Sequence, residues 1–175
     1  LQSWNFTVER TVFGTLISGA YVGNKAQHLA TLSNPNQARP GPGAIRSRQL
    51  RQDWGTIYVA GYDGNSTYHS GQFKIQRPFS NGLTFLGAYT WSKAIDDTGG
   101  TFVGEADRGG GFQDSYNRKA EKGLAGQDIR HRFVFSYVYE LPFGKGKRFL
   151  NGGGVRNAVL GNWQINGITS AQSGS

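Results

Sequence analysis

The sequence predicts an all-β protein, an antiparallel meander of about six long strands. Three features predict it: apolar and polar side chains alternate along the chain, glycine is abundant, and short connections alternate with long ones. Alternation with a period of two suits a strand, because successive side chains of a strand point to opposite faces. The 27 glycines are about twice the average usage, and glycine is disfavoured inside helices but common in hairpins and bulges.

Six segments carry the alternation. They are residues 4–9, 17–22, 72–76, 83–92, 132–139 and 163–166. The fourth segment is the longest, and in it Phe85, Tyr89 and Trp91 alternate with Thr, Leu, Ala and Ser. Each segment therefore predicts one strand with an aromatic-rich face and a more polar face.

The connections differ between the two ends of the predicted sheet. Residues 10–14 and Ser80-Asn81-Gly82 are short, and Asn-Gly between apolar alternations is a strong hairpin signal. Residues 25–56 and 94–129 are long and rich in Gly, Pro, Asn and charge. Short turns at one end and long loops at the other are typical of transmembrane β-barrels.

Two further stretches refine this pattern. Residues 57–68, with Asp63-Gly64-Asn65 at their centre, predict a second hairpin that continues above the main sheet. Residues 142–161 predict a long connection at the end that otherwise has short turns.

Composition excludes several classes of protein. The chain has no Cys, which excludes thiol catalysis, zinc–thiolate sites and disulfides. It has no Met, even at position 1, so we expect residues 1–175 to be part of a longer reading frame. No apolar run approaches the about 18 residues of a membrane helix, although a transmembrane strand is apolar only at alternate positions. The net charge of +8 is divided among loops and forms no continuous nucleic-acid-binding face.

Aromatic residues cluster near the ends of the predicted strands. Tyr89 and Trp91 precede a long loop, and the connection at 142–161 begins near Tyr137, Tyr139 and Phe143 and is followed by Trp163. Such rings suit the headgroup zone of a membrane, where one end is apolar and the other is wet. These positions therefore predict two aromatic girdles.

The alternate positions carry polar side chains that suit a water-filled lumen, such as Lys74, Gln76, Thr84 and Thr90. The same alternation also fits a soluble extracellular β-sandwich that binds carbohydrate, or a structural or adhesive surface protein. Two aromatic bands about 25 Å apart indicate a membrane protein. A single exposed aromatic platform indicates a binding module.

No residue pattern predicts a catalytic, cofactor or metal site. His28, His69 and His131 are far apart with no other metal ligand beside them, and we interpret them as polar residues near the rim. Seven acidic residues between 96 and 128 predict a solvated loop, with an ion site as the alternative. Residues 144–148 lack the spacing of a phosphate loop and predict a basic turn, and no strained nucleophile turn is present, so we expect no enzyme.

Three stretches resemble a known family: residues 82–97, residues 128–146 and residues 160–168. They include the runs YTWSK, RHRF and LPFGKG, which are specific as a set. With Tyr21-Val22-Gly23 and His28-Leu29, they are similar to the barrel of Oar-like TonB-dependent transporters, common in soil bacteria such as the Acidobacteria. Pro78 departs from the family pattern, because proline cannot donate to a strand ladder, and we expect the strand to end or bulge there.

The resemblance implies a plugged, 22-stranded barrel in the bacterial outer membrane, driven by TonB from the inner membrane. We expect residues 1–175 to be a partial barrel without the plug domain, the TonB box, the N-terminal regulatory-like domain or the terminal sorting strand. The expected function is active uptake of a large or scarce solute of unknown identity. The expected partners are outer-membrane lipid, lipopolysaccharide, the plug and TonB.

Overall fold

In the described residues the protein forms one antiparallel sheet. The computed structural model describes residues 1–98, 111–152 and 154–174. The strands are β1 (Gln2–Val12), β2 (Thr15–Ser33), β3 (Val59–Ser80), β4 (Leu83–Asp96), β5 (Gly123–Leu124), β6 (His131–Glu140) and β7 (Gln164–Gln172). Their order is β1-β2-β3-β4-β6-β7, and the two-residue β5 pairs with the end of β4. The predicted all-β meander of six long strands is therefore confirmed.

Two tight hairpin turns define the lower end of the sheet. Phe13 and Gly14 have φ angles of 48° and 73°, and Asn81 and Gly82 have φ angles of 53° and 82°. Two successive residues with positive φ form the turn whose twist matches that of the flanking strands. The hairpin predicted at Asn81-Gly82 is therefore confirmed. The connection from 141 to 163 lies at the same end of the sheet, because the Glu140 N–H, at the end of β6, donates to Gly82 O at 2.7 Å.

The connection from 141 to 163 is long but locally ordered. An isolated bridge joins Phe143 to Phe149, and a short helix, α1, spans Val155–Leu160. The basic turn predicted at 144–148 lies inside this segment, where Lys147 forms an ion pair with Glu140 at the foot of β6. No helix among the described residues is long and apolar enough to cross a membrane.

The hairpin predicted at residues 57–68 is wrong. β3 runs without reversal from Val59 to Ser80, because β2 also continues beyond residue 25 and supplies a partner as far as Ser33↔Val59. The turn-forming residues accommodate a bulge instead: the register shifts on both sides of Leu29, which pairs with Gly64. A Cβ on Gly64 would lie 2.9 Å from the Thr31 side chain, so glycine serves a close approach there and not a turn.

The longer strands also correct the loop boundaries. The loop predicted at 25–56 spans only 34–58, and the loop predicted at 94–129 begins after Asp96 and contains β5. The irregularity expected at Pro78 is confirmed, because the register of β3 against β4 shifts between Arg77 and Ser80. β3 nevertheless continues through the bulge to the lower turn.

The strand register separates two chemically different faces. Directly paired residues share a face of a sheet. One row of the first face reads Val8, Gly19, Phe73, Tyr89, Phe133 and Ala171. The adjacent row, on the second face, reads Thr7, Ala20, Gln72, Thr90, Arg132 and Gln172. We name these the aromatic face and the polar face.

No second layer covers either face in the part of the chain that the structure describes. The aromatic face stays open to its surroundings, with Phe6 69% and Phe73 60% exposed. Phe112 is the one large apolar side chain that the described residues bury, and it belongs to a loop. A β-sandwich would bury one face of each sheet against the other, so the sandwich alternative is not favoured.

Candidate functional site

The carboxylates of the regular ladders lie on one face only, whereas basic side chains occur on both faces, with Lys74 and Arg132 on the polar face. Within the regular ladders, the aromatic face carries basic side chains only: Arg10, Lys25, His69, Arg77, Lys93 and His131. The strand carboxylates of the same ladders, Glu9, Asp96 and Glu140, lie on the polar face. Lys74, Gln76, Thr84 and Thr90 also lie together on the polar face, as the alternation predicted.

Aromatic rings with polar heads lie at both ends of the aromatic face. Trp4, Tyr21 and Trp91 lie toward the long loops, whereas Tyr139 and Trp163 lie toward the lower turns. The rows between them carry the apolar side chains Val8, Ile17, Phe73, Ile75, Phe133 and Phe135. The same rows also carry Tyr89, Arg10 and Arg77. The two predicted girdles are therefore present.

The separation of the two zones matches a membrane. Trp4 of the upper zone lies in the row of Lys93, and Tyr139 of the lower zone pairs with Leu83, ten residues lower on β4. Ten residues of strand span about 33 Å, or about 25 Å along the membrane normal at the tilt of a transmembrane barrel. This is about the height of the apolar band of an outer-membrane barrel.

Two matching tyrosine–histidine pairs mark the upper zone. The hydroxyl of Tyr21 lies 2.7 Å from Nδ1 of His69, and the hydroxyl of Tyr89 lies 2.7 Å from Nδ1 of His131. The rings of each pair are stacked, with centroids 6.1 and 6.2 Å apart. His69 and His131 thus lie in the upper aromatic zone, on the rim side of the sheet as predicted, and each has a hydroxyl partner that the sequence does not reveal.

The loop at 34–58 is folded around a single buried amide. Asn36 is only 1% exposed, and its Nδ2 donates to the carbonyl oxygens of Arg51, Trp54 and Gly55 at 2.9–3.2 Å. Its Oδ1 accepts the Arg51 N–H at 2.8 Å. The loop is therefore a compact structure and not an extended, solvated connection.

The two long loops interlock above the sheet through Gln37. Its Nε2 donates to Gln113 O at 2.6 Å, and its Oε1 accepts the Ser115 N–H at 2.6 Å. The hydroxyl of Tyr116 donates to Gln37 O at 2.9 Å. The connection between β2 and β3 and the connection between β4 and β6 therefore form one cap.

A charged contact ties this cap to β3, at Asp63 in the part of the strand above the upper aromatic zone. Asp63 accepts a hydrogen bond from Thr31 Oγ1 at 2.6 Å and pairs with Arg118 at 2.7 Å. The Thr31 hydroxyl and then the Arg118 guanidinium lower the pKa of Asp63 below its usual value. This contact therefore favours the folded cap at neutral pH, and its contribution is lost as the pH falls through the lowered pKa. Arg118 also stacks on the ring of Phe112, 3.7 Å from its centroid.

The acidic residues between 96 and 128 do not converge. Asp97 accepts from the Asn65 N–H at 2.6 Å, Asp128 accepts from the Ala94 N–H at 2.7 Å, and Glu121 accepts from the Asp114 N–H at 3.2 Å. In residues 1–98, 111–152 and 154–174, no three His, Asp or Glu side chains gather as a metal site. Glu105 and Asp107, which the ion-site alternative included, lie outside the described residues.

A groove opens on the polar face near its upper end. It joins two cavities of about 570 and 350 Å³ that share Tyr68, Gln127 and Ile129. Ser66, Ala94, Asp96 and Asp128 are among the residues that line the larger cavity. Tyr68, Gln72, Thr90, Ser92, Gln127, Ile129 and Arg132 line the smaller cavity. We name the two together the upper groove.

Backbone and side-chain hydrogen bonds fix the rim of the upper groove. The returning end of the second long loop lies along β4, because the Ala125 N–H donates to Ala94 O at 3.0 Å. Farther down, Ser92 donates its hydroxyl to Ile129 O at 2.7 Å and its N–H to Arg130 O at 2.9 Å. The sequence predicted Thr90 on this wall but not Tyr68, Gln127 or Arg132, because their grouping depends on the register and on the path of the loop.

The fold and the two faces define a class of protein. An antiparallel meander with an apolar, girdled face, a polar face and unequal connections is typical of the wall of a transmembrane barrel. A family model described as an outer membrane beta barrel domain matches residues 1–175, so the chain belongs to this family and is placed in the bacterial outer membrane. Comparison with curated proteins and with solved structures finds no match.

Proposed function

We propose that the chain forms part of the barrel wall of a TonB-dependent transporter that takes up a large or scarce solute, such as a glycan fragment, a peptide or a metal chelate. The observation that carries the proposal is the upper groove, which opens on the lumenal wall beneath the long loops. A solute that enters from outside the cell meets the loops and this wall first. The resemblance of residues 82–97 and 128–146 to Oar-like transporters supports the same function.

The proposal gives the chain no catalytic role. It assigns the energy for uptake to TonB, through a plug domain in the rest of the protein. The groove then serves to hold the solute at the wall while the plug rearranges.

The complete protein is expected to bind the periplasmic domain of TonB, because a plugged barrel releases its solute only when TonB acts on the plug. A pull-down with purified TonB domain tests the contact. A growth survey on single carbon, nitrogen and iron sources tests its consequence: strains that lack either the transporter or TonB should lose growth on a common source. A barrel that conducts solute in a planar bilayer without TonB would contradict the proposal.

We also propose lipopolysaccharide as a partner of the aromatic face at its upper end. Lys25, His69, Lys93 and His131 lie there on four neighbouring strands, and no carboxylate shares their face in the regular ladders. Neighbouring strands are about 4.8 Å apart, so the four side chains span roughly 14 Å across the strands. The rows of Lys25 and His131 are four residues apart along β4, which adds roughly 13 Å in the strand direction. Basic side chains pair strongly with phosphate groups, which suits the phosphorylated headgroups of the outer leaflet.

The double variant Lys25→Gln/Lys93→Gln is therefore expected to retain several-fold less lipopolysaccharide than the unmodified protein after purification from outer membranes. Mass spectrometry of the protein with its bound lipid measures the ratio. The control is Lys74→Gln, which removes a lysine from the opposite face of β3. Equal loss in the control, or no loss in the double variant, would show that the outward position of the lysines is irrelevant.

A further inference from the structure

We infer that the upper groove contains a subsite for an anionic group of the solute, and that Arg132 is the residue that pairs with this group. The inference rests on the proposed function in one respect, namely that the solute reaches the lumenal wall. It adds a chemical class of ligand and a recognition residue, neither of which the family match supplies.

The register places Arg132 among hydrogen-bond donors. It pairs directly with Thr90 of β4, which pairs directly with Gln72 of β3. These three side chains lie in one row of the polar face, about 4.8 Å from strand to strand. Gln127, on the loop segment fixed along β4, lines the same cavity.

Arg132 has no protein partner in the described part of the chain. Neither a hydrogen bond nor an ion pair joins its guanidinium to a described residue, and the same holds for the side chains of Tyr68, Thr90 and Gln127. By contrast, Lys74 approaches Glu9 at 4.0 Å, Arg118 pairs with Asp63, and Lys147 pairs with Glu140. Four polar side chains in one cavity therefore have hydrogen-bonding groups available to a ligand.

The charge of the cavity defines the ligand. Arg132 is the one charged residue among those that line the smaller cavity, and a guanidinium presents paired donors that match a carboxylate or a phosphate. The hydroxyl of Thr90 and the amide of Gln127 can donate to the same anion. The ring of Tyr68 and the side chain of Ile129 add an apolar wall for the body of the solute.

The adjoining cavity sets the orientation of the solute in the groove. It is lined by Asp96 and Asp128, so it disfavours a second negative charge. The anionic group is therefore directed to the Arg132 end and the neutral part of the solute to the Asp96 end. A cavity of about 350 Å³ accommodates a group of the size of one sugar ring or one terminal amino-acid residue.

The test uses the complete protein in detergent and saturation-transfer NMR with three probes: glucuronate, glucose 6-phosphate and methyl glucoside. Glucuronate and glucose 6-phosphate are expected to bind about tenfold more tightly than the neutral methyl glucoside, since charge-assisted hydrogen bonds are the strong ones. The tighter of the two anionic probes identifies the anion as a carboxylate or a phosphate. Arg132→Gln should remove the preference for anions, whereas Arg132→Lys should keep part of it.

The control variant is Lys74→Gln, which removes a positive charge from the same face below the groove and should leave the affinities unchanged. Circular dichroism and heat-modifiable migration on gels confirm that each variant is a folded barrel. Equal affinity for charged and neutral probes, or an unchanged preference in Arg132→Gln, overturns the inference. The inference is also overturned if Arg132→Gln lowers the thermal stability of the protein but keeps the preference for anionic probes. Arg132 would then stabilise the folded protein, as a contact to the plug does, and would not bind the solute.

The result is separate from the test of the transporter proposal. Uptake that depends on TonB without a preference for anions overturns only the subsite. The converse result is a preference for anions that requires Arg132, together with uptake that is independent of TonB. It supports the subsite and contradicts only the proposal of a TonB-dependent transporter.

Discussion

Residues 1–175 expressed alone are expected to aggregate in buffer and to recover a β-rich spectrum only in detergent, without a defined closed species. The reason lies at the two edges of the sheet. Within the described residues, β1 pairs only with β2, and β7 pairs only with β6. Each edge strand of nine to eleven residues therefore leaves roughly ten backbone groups without a partner.

The magnitude of this effect is large. An unpaired backbone group in hydrocarbon costs several kcal/mol, so the two edges together cost on the order of tens of kcal/mol. A whole domain is typically stable by only about 5–15 kcal/mol. Stable insertion in a membrane therefore needs a pairing partner for both β1 and β7.

Size-exclusion chromatography with far-UV circular dichroism, run with and without detergent, measures the outcome. The control is the complete protein, which should elute as a single species in detergent and migrate differently on gels before and after boiling. A sharp, β-rich monomer of residues 1–175 that melts cooperatively in plain buffer would falsify the expectation, and it would return the soluble alternatives to consideration.

Substitution of Asn36 is expected to unfold the cap without disturbing the barrel. Asn36→Ala removes the donor to three carbonyl oxygens and the acceptor of one N–H. These backbone groups lose their partner inside a buried site, at a cost of about 3 kcal/mol or more. That cost corresponds to a roughly hundredfold rise in the population of the open loop.

Limited proteolysis of the complete protein in outer-membrane fragments measures this population. Cleavage within 34–58 should be at least tenfold faster in Asn36→Ala. Cleavage within 111–121 should also be faster, because Gln37 joins the two loops. The control is Gln52→Ala, which removes an exposed amide side chain from the same loop. If both variants are cleaved at the unmodified rate, the buried amide does not hold the cap together.

The sequence supports accurate prediction of features that depend on neighbouring residues. Alternation along 83–92 predicts both the strand β4 and the division of its side chains, because the direction of a side chain in a strand depends only on its position parity. Asn81-Gly82 predicts its own turn, because both residues tolerate positive φ. Pro78 predicts the bulge at its position for an equally local reason.

The wrong prediction at residues 57–68 shows the limit of local reasoning. Asp63-Gly64-Asn65 has the composition of a turn, yet it lies within a continuous strand. The deciding factor is the extension of β2 beyond residue 25, which offers β3 ladder partners 26–40 residues away in sequence. Turn composition and bulge composition are alike, and only the partner strand distinguishes them.

The sequence by itself therefore determined the class of fold and the two faces of the sheet, because these follow from a repeat of two residues. The same repeat also fits a soluble sandwich, and the uncovered aromatic face of the structure, with the family match, decided for a membrane barrel. Only the tertiary structure decided the register, and the register places Arg132 beside Thr90 and His69 within reach of Tyr21. It also decided that the two long loops fold into one cap through Gln37. These contacts join residues 42–78 positions apart, and pairing over such a distance depends on the whole sheet rather than on any local pattern.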